Sequence, residues 1–330
     1  MYPLCLFVLL MLLSPGVALS GLLLKDGEEK DEQGRELRGP SRQPKGSTQG
    51  MVVVQSENSF EDTYALLLAA LNGAAPITVF KEIDHAAAAA DAQIDPGLLP
   101  NRLVIFGNPA LGTPVMQANA FVGLDLPQKM LVWQDSDDKV FLGYNPPEYL
   151  TARYDGIEGV SQLETISNAL KNFASQATNV AASDIQDPRT GQFKKIRRFR
   201  GGWFSVESDA DFETTWSRLT TAIETAAGPN IALTVDHEEN SGGTLNPSRV
   251  VVFGNPQLGT PLMQVSPTAG IDLPLKILVT EDETGKVHVT SNKIGFLRVR
   301  HYLRGVDDNI TAARQAVLNF VSIASGVEFN

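Results

Sequence analysis

Hydrophobic and polar positions along the chain form a pattern that is written twice. Phe60, Tyr64, Leu67 and Leu71 recur at the spacing that lines one face of a helix, and Phe212, Trp216, Leu219 and Ile223 repeat that stripe. A second helical stripe, Leu163, Ile166, Leu170 and Phe173, has its counterpart in Ile310, Ala313, Val317 and Phe320. Each first stripe follows a short β-rich run, 51–55 or 203–207, and Ser59 or its predecessors suit the first helix cap. Further β-rich runs lie between the stripes, at 77–83, 103–106, 130–133 and 140–144 in one half and 231–235, 250–253, 277–280 and 287–290 in the other. Asp137-Asp138 and Thr284-Gly285 stand where hairpin turns would pair the late runs antiparallel. The order strand, helix, four strands, helix predicts an α+β protein of two tandem two-layer β-α-β4-α domains. Each has an antiparallel sheet with two helices on one face.

Short motifs carry the same repetition. Phe106-Gly107-Asn108-Pro109 returns as Phe253-Gly254-Asn255-Pro256, a spacing of 147 residues (106 to 253). Leu111-Gly112-Thr113-Pro114, Met116-Gln117, Asp125-Leu126-Pro127, Lys129, Asn145, Leu150, Arg153 and Phe173 recur in that register. Upstream, Phe60, Thr63, Leu67, Asp84 and His85 match Phe212, Thr215, Leu219, Asp236 and His237 at a spacing of 152 (60 to 212). The copies, 51–177 and 202–330, are each expected to bury a core and fold as a separate unit.

These motifs, together with Tyr149-Leu150 through Arg153 and Phe296-Leu297 through Arg300, resemble the bacterial domain of unknown function family 302. The resemblance covers both copies. It implies a TATA-binding-protein-like β-α-β4-α fold and no established activity. Two positions depart between the copies: His301 stands where the first has Tyr154, and Gly295-Phe296 replaces Glu148-Tyr149.

The first twenty residues are uncharged, and Leu4 to Leu13 form an apolar run of the length of a signal-peptide core, too short to span a bilayer comfortably. Pro15 and Gly16 break the run, and Ala18 and Ser20 suit cleavage before Gly21. The expectation is a signal peptide at 1–20, cleaved near Ser20, export to the periplasm or beyond the cell, and no stable membrane insertion after cleavage. Retention as an anchor is the alternative, because no Lys or Arg stands near Met1. Cys5, the one cysteine, lies in the segment to be removed, so the mature chain has no disulfide or thiol chemistry. Residues 21–50 read as a disordered spacer. From Lys25 on, that stretch balances six acidic against six basic side chains with almost nothing apolar.

Charge narrows the partners. The chain carries a formal net charge of -11, and both copies are acidic, so neither offers the basic footprint of a nucleic-acid binder. The positive charge concentrates in the connector at 178–201, which ends in Lys194-Lys195-Ile196-Arg197-Arg198-Phe199-Arg200. It reads as a solvated basic linker that docks on its two acidic neighbours, the alternative being a contact with anionic lipid or another polyanion.

Several residues carry candidate chemistry. Phe-Gly-Asn-Pro running into Leu-Gly-Thr-Pro reads as a structural corner at a strand end. Its functional alternative is a loop whose free amides and Asn108 or Asn255, with Gln117 or Gln264 close by, hold a small anion. Asp84-His85 and Asp236-His237 place an imidazole beside a carboxylate, making His85 and His237 the candidate general bases. Neighbours on a strand face opposite ways, which favours a histidine bonded to a loop carbonyl. Lys129 and Arg153, with Lys276 and Arg300, suit a carboxylate or phosphate ligand, or an internal ion pair with Asp125 and Asp272. No metal-ligand spacing, cofactor motif, phosphate loop or nucleophile elbow is present. The residues favour non-catalytic binding of a small or anionic ligand, or a scaffold role. The alternative is an enzyme with His85 or His237 as base on a small anionic substrate.

Overall fold

The structure, a computed structural model, describes residues 49–329. The expected signal segment and the spacer as far as Thr48 lie outside the described residues.

The first copy runs β1 (Val52–Gln55), α1 (Phe60–Asn72), β2 (Thr78–Asp84), α2 (His85–Asp91), β3 (Asn101–Gly107), α3 (Pro109–Ala118), a 3-10 turn (Ala120–Leu124), β4 (Gln128–Gln134), β5 (Val140–Tyr144), α4 (Pro147–Thr151) and α5 (Gln162–Thr178). A helix in the connector, α6 (Thr190–Arg198), leads to the second copy. There the order repeats as β6 (Trp203–Glu207), α7 (Phe212–Thr225), β7 (Asn230–Asp236), α8 (His237–Asn240), β8 (Ser248–Gly254), α9 (Pro256–Val265), a 3-10 turn (Pro267–Ile271), β9 (Leu275–Glu281), β10 (Val287–Asn292), α10 (Ile294–Arg300) and α11 (Asp307–Ser325). Each copy forms one antiparallel five-stranded sheet, in the orders β1-β5-β4-β3-β2 and β6-β10-β9-β8-β7. Ser59 and Asp211 cap the first helices of the two copies, accepting from Asp62 N and Thr214 N.

Alternation along the central strands explains the packing. Val104, Phe106, Met130 and Val132 face the two long helices and meet Leu67, Leu71, Leu170 and Phe173. The intervening Leu103, Ile105, Leu131 and Trp133 are equally buried, but against the second copy, whose Ile271 joins them. Reciprocally, Leu124 of the first copy packs on Val235, Val250 and Leu278. The 3-10 turn of each copy therefore lies across the open sheet face of the other. Gly123 and Gly270 make that approach close enough. A Cβ on Gly123 would stand 2.8 Å from Met116 and 3.1 Å from Leu278, and one on Gly270 would stand 2.9 Å from Leu131.

The two copies are two domains, each with its own sheet and helices, and they pack into one compact unit, because neither sheet could leave such an apolar face to water. The connector packs against the domains. Its Ile196 is fully buried, and the Gln192 side chain accepts from Gly50 N at 2.9 Å, so α6 packs on the start of the first copy. Its Lys195 and Arg198 border an open groove with Arg298, Tyr302 and Arg304.

Candidate functional site

Where the two copies meet, a polar network is sealed from solvent and doubled by the pseudo-twofold relation. Arg153 Nε lies 2.7 Å from Asp125 Oδ2, and Arg300 Nη1 lies 2.7 Å from Asp272 Oδ2, all four side chains being essentially buried. Each guanidinium also crosses to the other copy. Arg153 Nη2 donates to Asn292 Oδ1 and Arg300 Nη2 donates to Asn145 Oδ1, both at 2.5 Å. Arg300 stacks on the Tyr149 ring at 4.1 Å and Arg153 on the Phe296 ring at 5.2 Å. The Tyr154 hydroxyl donates to Asp125 Oδ2 at 2.8 Å, and His301 Nε2 meets Asp272 Oδ2 at 2.8 Å, so the departing pair fills one role. Burial by itself would raise both carboxyls. Arg153, Lys276 and Lys129 hold Asp125, and Arg300, His301 and Lys129 hold Asp272, well below the usual carboxylate range.

The lysines break the symmetry. Lys276 Nζ donates to Asp125 Oδ1 at 2.8 Å, whereas Lys129 Nζ donates to the Ile271 carbonyl at 2.7 Å. Asp272 Oδ1 has no hydrogen-bond partner among the described residues. Burial, then the adjacent Lys276 ammonium, pushes the Lys129 amine well below its ordinary range.

The Asp-His motifs separate their two side chains, because the aspartate ends the strand as the helix cap and the histidine is the first residue of the helix. Asp84 and Asp236 turn outward, cap α2 and α8, and pair with Arg102 and Arg249 at 2.7 Å. His85 and His237 turn inward. His85 Nε2 lies 3.3 Å from the Gly270 carbonyl and His237 Nε2 lies 3.1 Å from the Gly123 carbonyl, each in the opposite copy. A carbonyl only accepts, so Nε2 carries the proton. Burial pushes both imidazoles down to about 4, against the carbonyl bond and the neighbouring aspartate. At neutral pH the rings are uncharged and Nδ1 holds a lone pair.

Each histidine also lines a cavity of the other copy. His237 borders a pocket of about 80 Å3 with Phe106, Asn108, Met116, Ile166 and Phe173. His85 borders one of about 440 Å3 with Phe253, Asn255, Met263, Ala313 and Phe320. Asn108 and Asn255 stand at the rims with their side-chain oxygens engaged, accepting from Ala110 N and Gln257 N to cap α3 and α9. The Leu-Gly-Thr-Pro segments, expected as part of a structural corner or a ligand loop, are helical because this cap and Pro109 or Pro256 at the first position start a helix.

The predicted residues thus divide into three sets. Lys129, Arg153, Lys276 and Arg300 belong to the network, and none of them lines either cavity. Gln117 is exposed, and Gln264 is exposed while donating to the Pro96 carbonyl at 2.5 Å; neither borders a cavity. His85, Asn108 and Arg153 of one copy do not converge, as the enzyme reading requires. Instead each cavity joins the asparagine of one copy to the histidine of the other. Asp125 and Asp272 hold the internal ion pairs that the sequence offers as the alternative to a ligand clamp, whereas Asn145 and Asn292, though repeated in register, carry no such signal. Sequence reasoning also passed over the apolar cavity walls, which read as ordinary core.

Residues 52–176 and 204–320 both match the family model described as domain of unknown function DUF302. Among curated proteins, the chain is 40% identical over 105 residues to the fluoride-specific ion channel FluC 1 of Brucella suis biovar 1, covering 32% of this chain and 40% of that protein. FluC 1 of Brucella abortus biovar 1 is likewise 40% identical over 105 residues, 38% of its length. The chain therefore spans about two fifths of the curated relatives it matches. A solved structure of an uncharacterised conserved DUF302 protein from Bacillus stearothermophilus is 18% identical, covering 39% of this chain and 96% of that one at a TM-score of 0.32. No helix among the described residues is long and apolar enough to cross a membrane.

Proposed function

The chain belongs to the DUF302 family, and we propose that this tandem member is an exported, non-catalytic binding protein for a small, uncharged and mostly apolar molecule. One observation carries the reading. The cavity of about 440 Å3 between the copies is walled by apolar side chains, with His85, Asn230, Asn255, Thr260 and Asn319 as its polar groups and no charged residue. That size and lining match the sites that enclose small organic ligands. Of the cations that would favour an anionic ligand, Arg153, Lys276 and Arg300 are paired inside the network and Lys129 donates to the Ile271 carbonyl. From the Brucella proteins we carry over kinship of a domain and not channel activity, because the likeness spans 105 residues.

The test is fluorescence titration of the purified full chain with N-phenyl-1-naphthylamine, an uncharged aromatic probe that brightens in apolar surroundings. Saturable micromolar binding is expected. Emission that rises only linearly with probe would overturn the reading. Export is tested separately by N-terminal sequencing of the protein outside the cytoplasm, which should begin at Gly21.

A further inference from the structure

The two cavities are built from equivalent elements yet differ severalfold in volume, about 80 against 440 Å3. Named residues account for the direction of the difference. In β2 the ladder to β3 shifts register between Val79 and Lys81, and Phe80 is the residue of the bulge. In β7 the shift falls between Ile231 and Leu233, and the bulge residue is Ala232. Phe80 lines the small cavity and Ala232 the large one, so the same backbone irregularity presents a phenyl ring to one and a methyl group to the other. On the facing helices the pattern holds: Ile166 of α5 lines the small cavity, and Ala313 of α11 occupies the equivalent place in the large one. Met116 and Phe173 of the small cavity match Met263 and Phe320 of the large one, which also reaches Ile294, Leu297 and Ile310.

The large cavity has one further directional feature. His85 Nε2 is committed to the Gly270 carbonyl, and that is the one side-chain hydrogen bond the ring makes among the described residues. A ring that donates through Nε2 and is uncharged must accept at Nδ1. A ligand group that donates a hydrogen bond satisfies that atom, whereas an ether or a second acceptor leaves it unpaired.

Resting on the proposed binding role, we infer that the chain holds one ligand rather than two. The cavity with Ala232 and Ala313 is the site, Phe80 and Ile166 fill its counterpart, and the ligand is an apolar body bearing a hydroxyl or N–H directed at His85.

The experiment uses the full chain and the same naphthylamine probe, which itself carries one N–H. Wild type should bind one probe per chain. Ala232→Phe with Ala313→Ile should abolish binding, and Phe80→Ala with Ile166→Ala should raise the stoichiometry to two. Displacement by 4-octylphenol should be at least about tenfold tighter than by its methyl ether, the size expected when one hydrogen bond to a buried acceptor is lost. Two probes per wild-type chain, or unchanged binding in the filled variant, would overturn the inference while leaving the binding role standing. Equal displacement by phenol and ether would overturn the assignment to His85. Should the filled variant fail to fold, the opened variant and the ligand pair still decide. Absence of any probe binding to wild type would instead remove the binding role beneath it.

Discussion

Asp125→Asn isolates what the buried network contributes. Asparagine keeps the shape of the side chain, so no cavity opens and the loss is one of charge. Both carboxylate oxygens are in use: Oδ1 accepts from Lys276, and Oδ2 meets Arg153 and the Tyr154 hydroxyl. The variant leaves the Arg153 guanidinium buried beside a neutral amide, and removing one partner of a buried ion pair costs about 3–5 kcal/mol. At about 2–4 °C per kcal/mol for a unit of this size, the midpoint should fall by roughly 6–20 °C in calorimetry at pH 7. Asp84→Asn is the control. Asp84 pairs with Arg102 at 2.7 Å but is partly exposed, and asparagine also caps helices, so its cost should stay under about 1 kcal/mol. The native Asp125 carboxyl titrates below its unfolded value. Its contribution is therefore complete above the ordinary carboxylate range and is lost as pH falls below about 4. The gap between Asp125→Asn and wild type should close over that acid range. Equal midpoints for the two variants at pH 7 would refute the reasoning.

Three further outcomes are expected. His85 and His237 are held down to about 4 by burial, so the unfolded chain binds more protons between about pH 6.5 and 4; stability falls with pH across that window by up to about 1.4 kcal/mol per unit for each ring. His85→Gln with His237→Gln should flatten that slope in urea titrations, and an unaltered slope would exclude these rings as its source. A fragment 51–177 exposes the Leu103, Ile105, Leu131 and Trp133 face, each side chain worth about 1.5–3 kcal/mol of burial, and should bind anilinonaphthalene sulfonate without a sharp thermal transition. Cooperative melting of that fragment would show a self-sufficient copy. Duplex DNA at micromolar protein should not bind, since the chain carries a net charge of -11; a steep salt-dependent affinity would contradict this.

The repeat and its element order were readable because periodicity records which face of each element is buried. The second burial surface was recorded too, in another form. Leu103-Val104-Ile105-Phe106 and Met130-Leu131-Val132-Trp133 are continuous rather than alternating, as expected of strands covered on both faces. What could not be read was the covering element, because the turns at Gly123 and Gly270 reach across more than a hundred residues of chain. The same holds for Arg153 and Arg300. Their side-chain chemistry suits either an anion or an aspartate, and only the fold brings Asp125 and Asp272 within 2.7 Å. The exchange of Phe80 for Ala232 was present in the aligned copies, but a bulge residue has no signature that separates it from its neighbours.

Two copies joined in one chain differ from a symmetric dimer in what a single substitution does. In a dimer of identical subunits each change appears at both equivalent places, so one site cannot be opened while its twin stays filled. Here the shared interface keeps its paired arginines, glycines and histidines in matching roles, while Phe80 and Ala232 vary one at a time. Tethering frees each half to specialise: one pocket can be sacrificed to packing, and stability gained there supports an open cavity in the other.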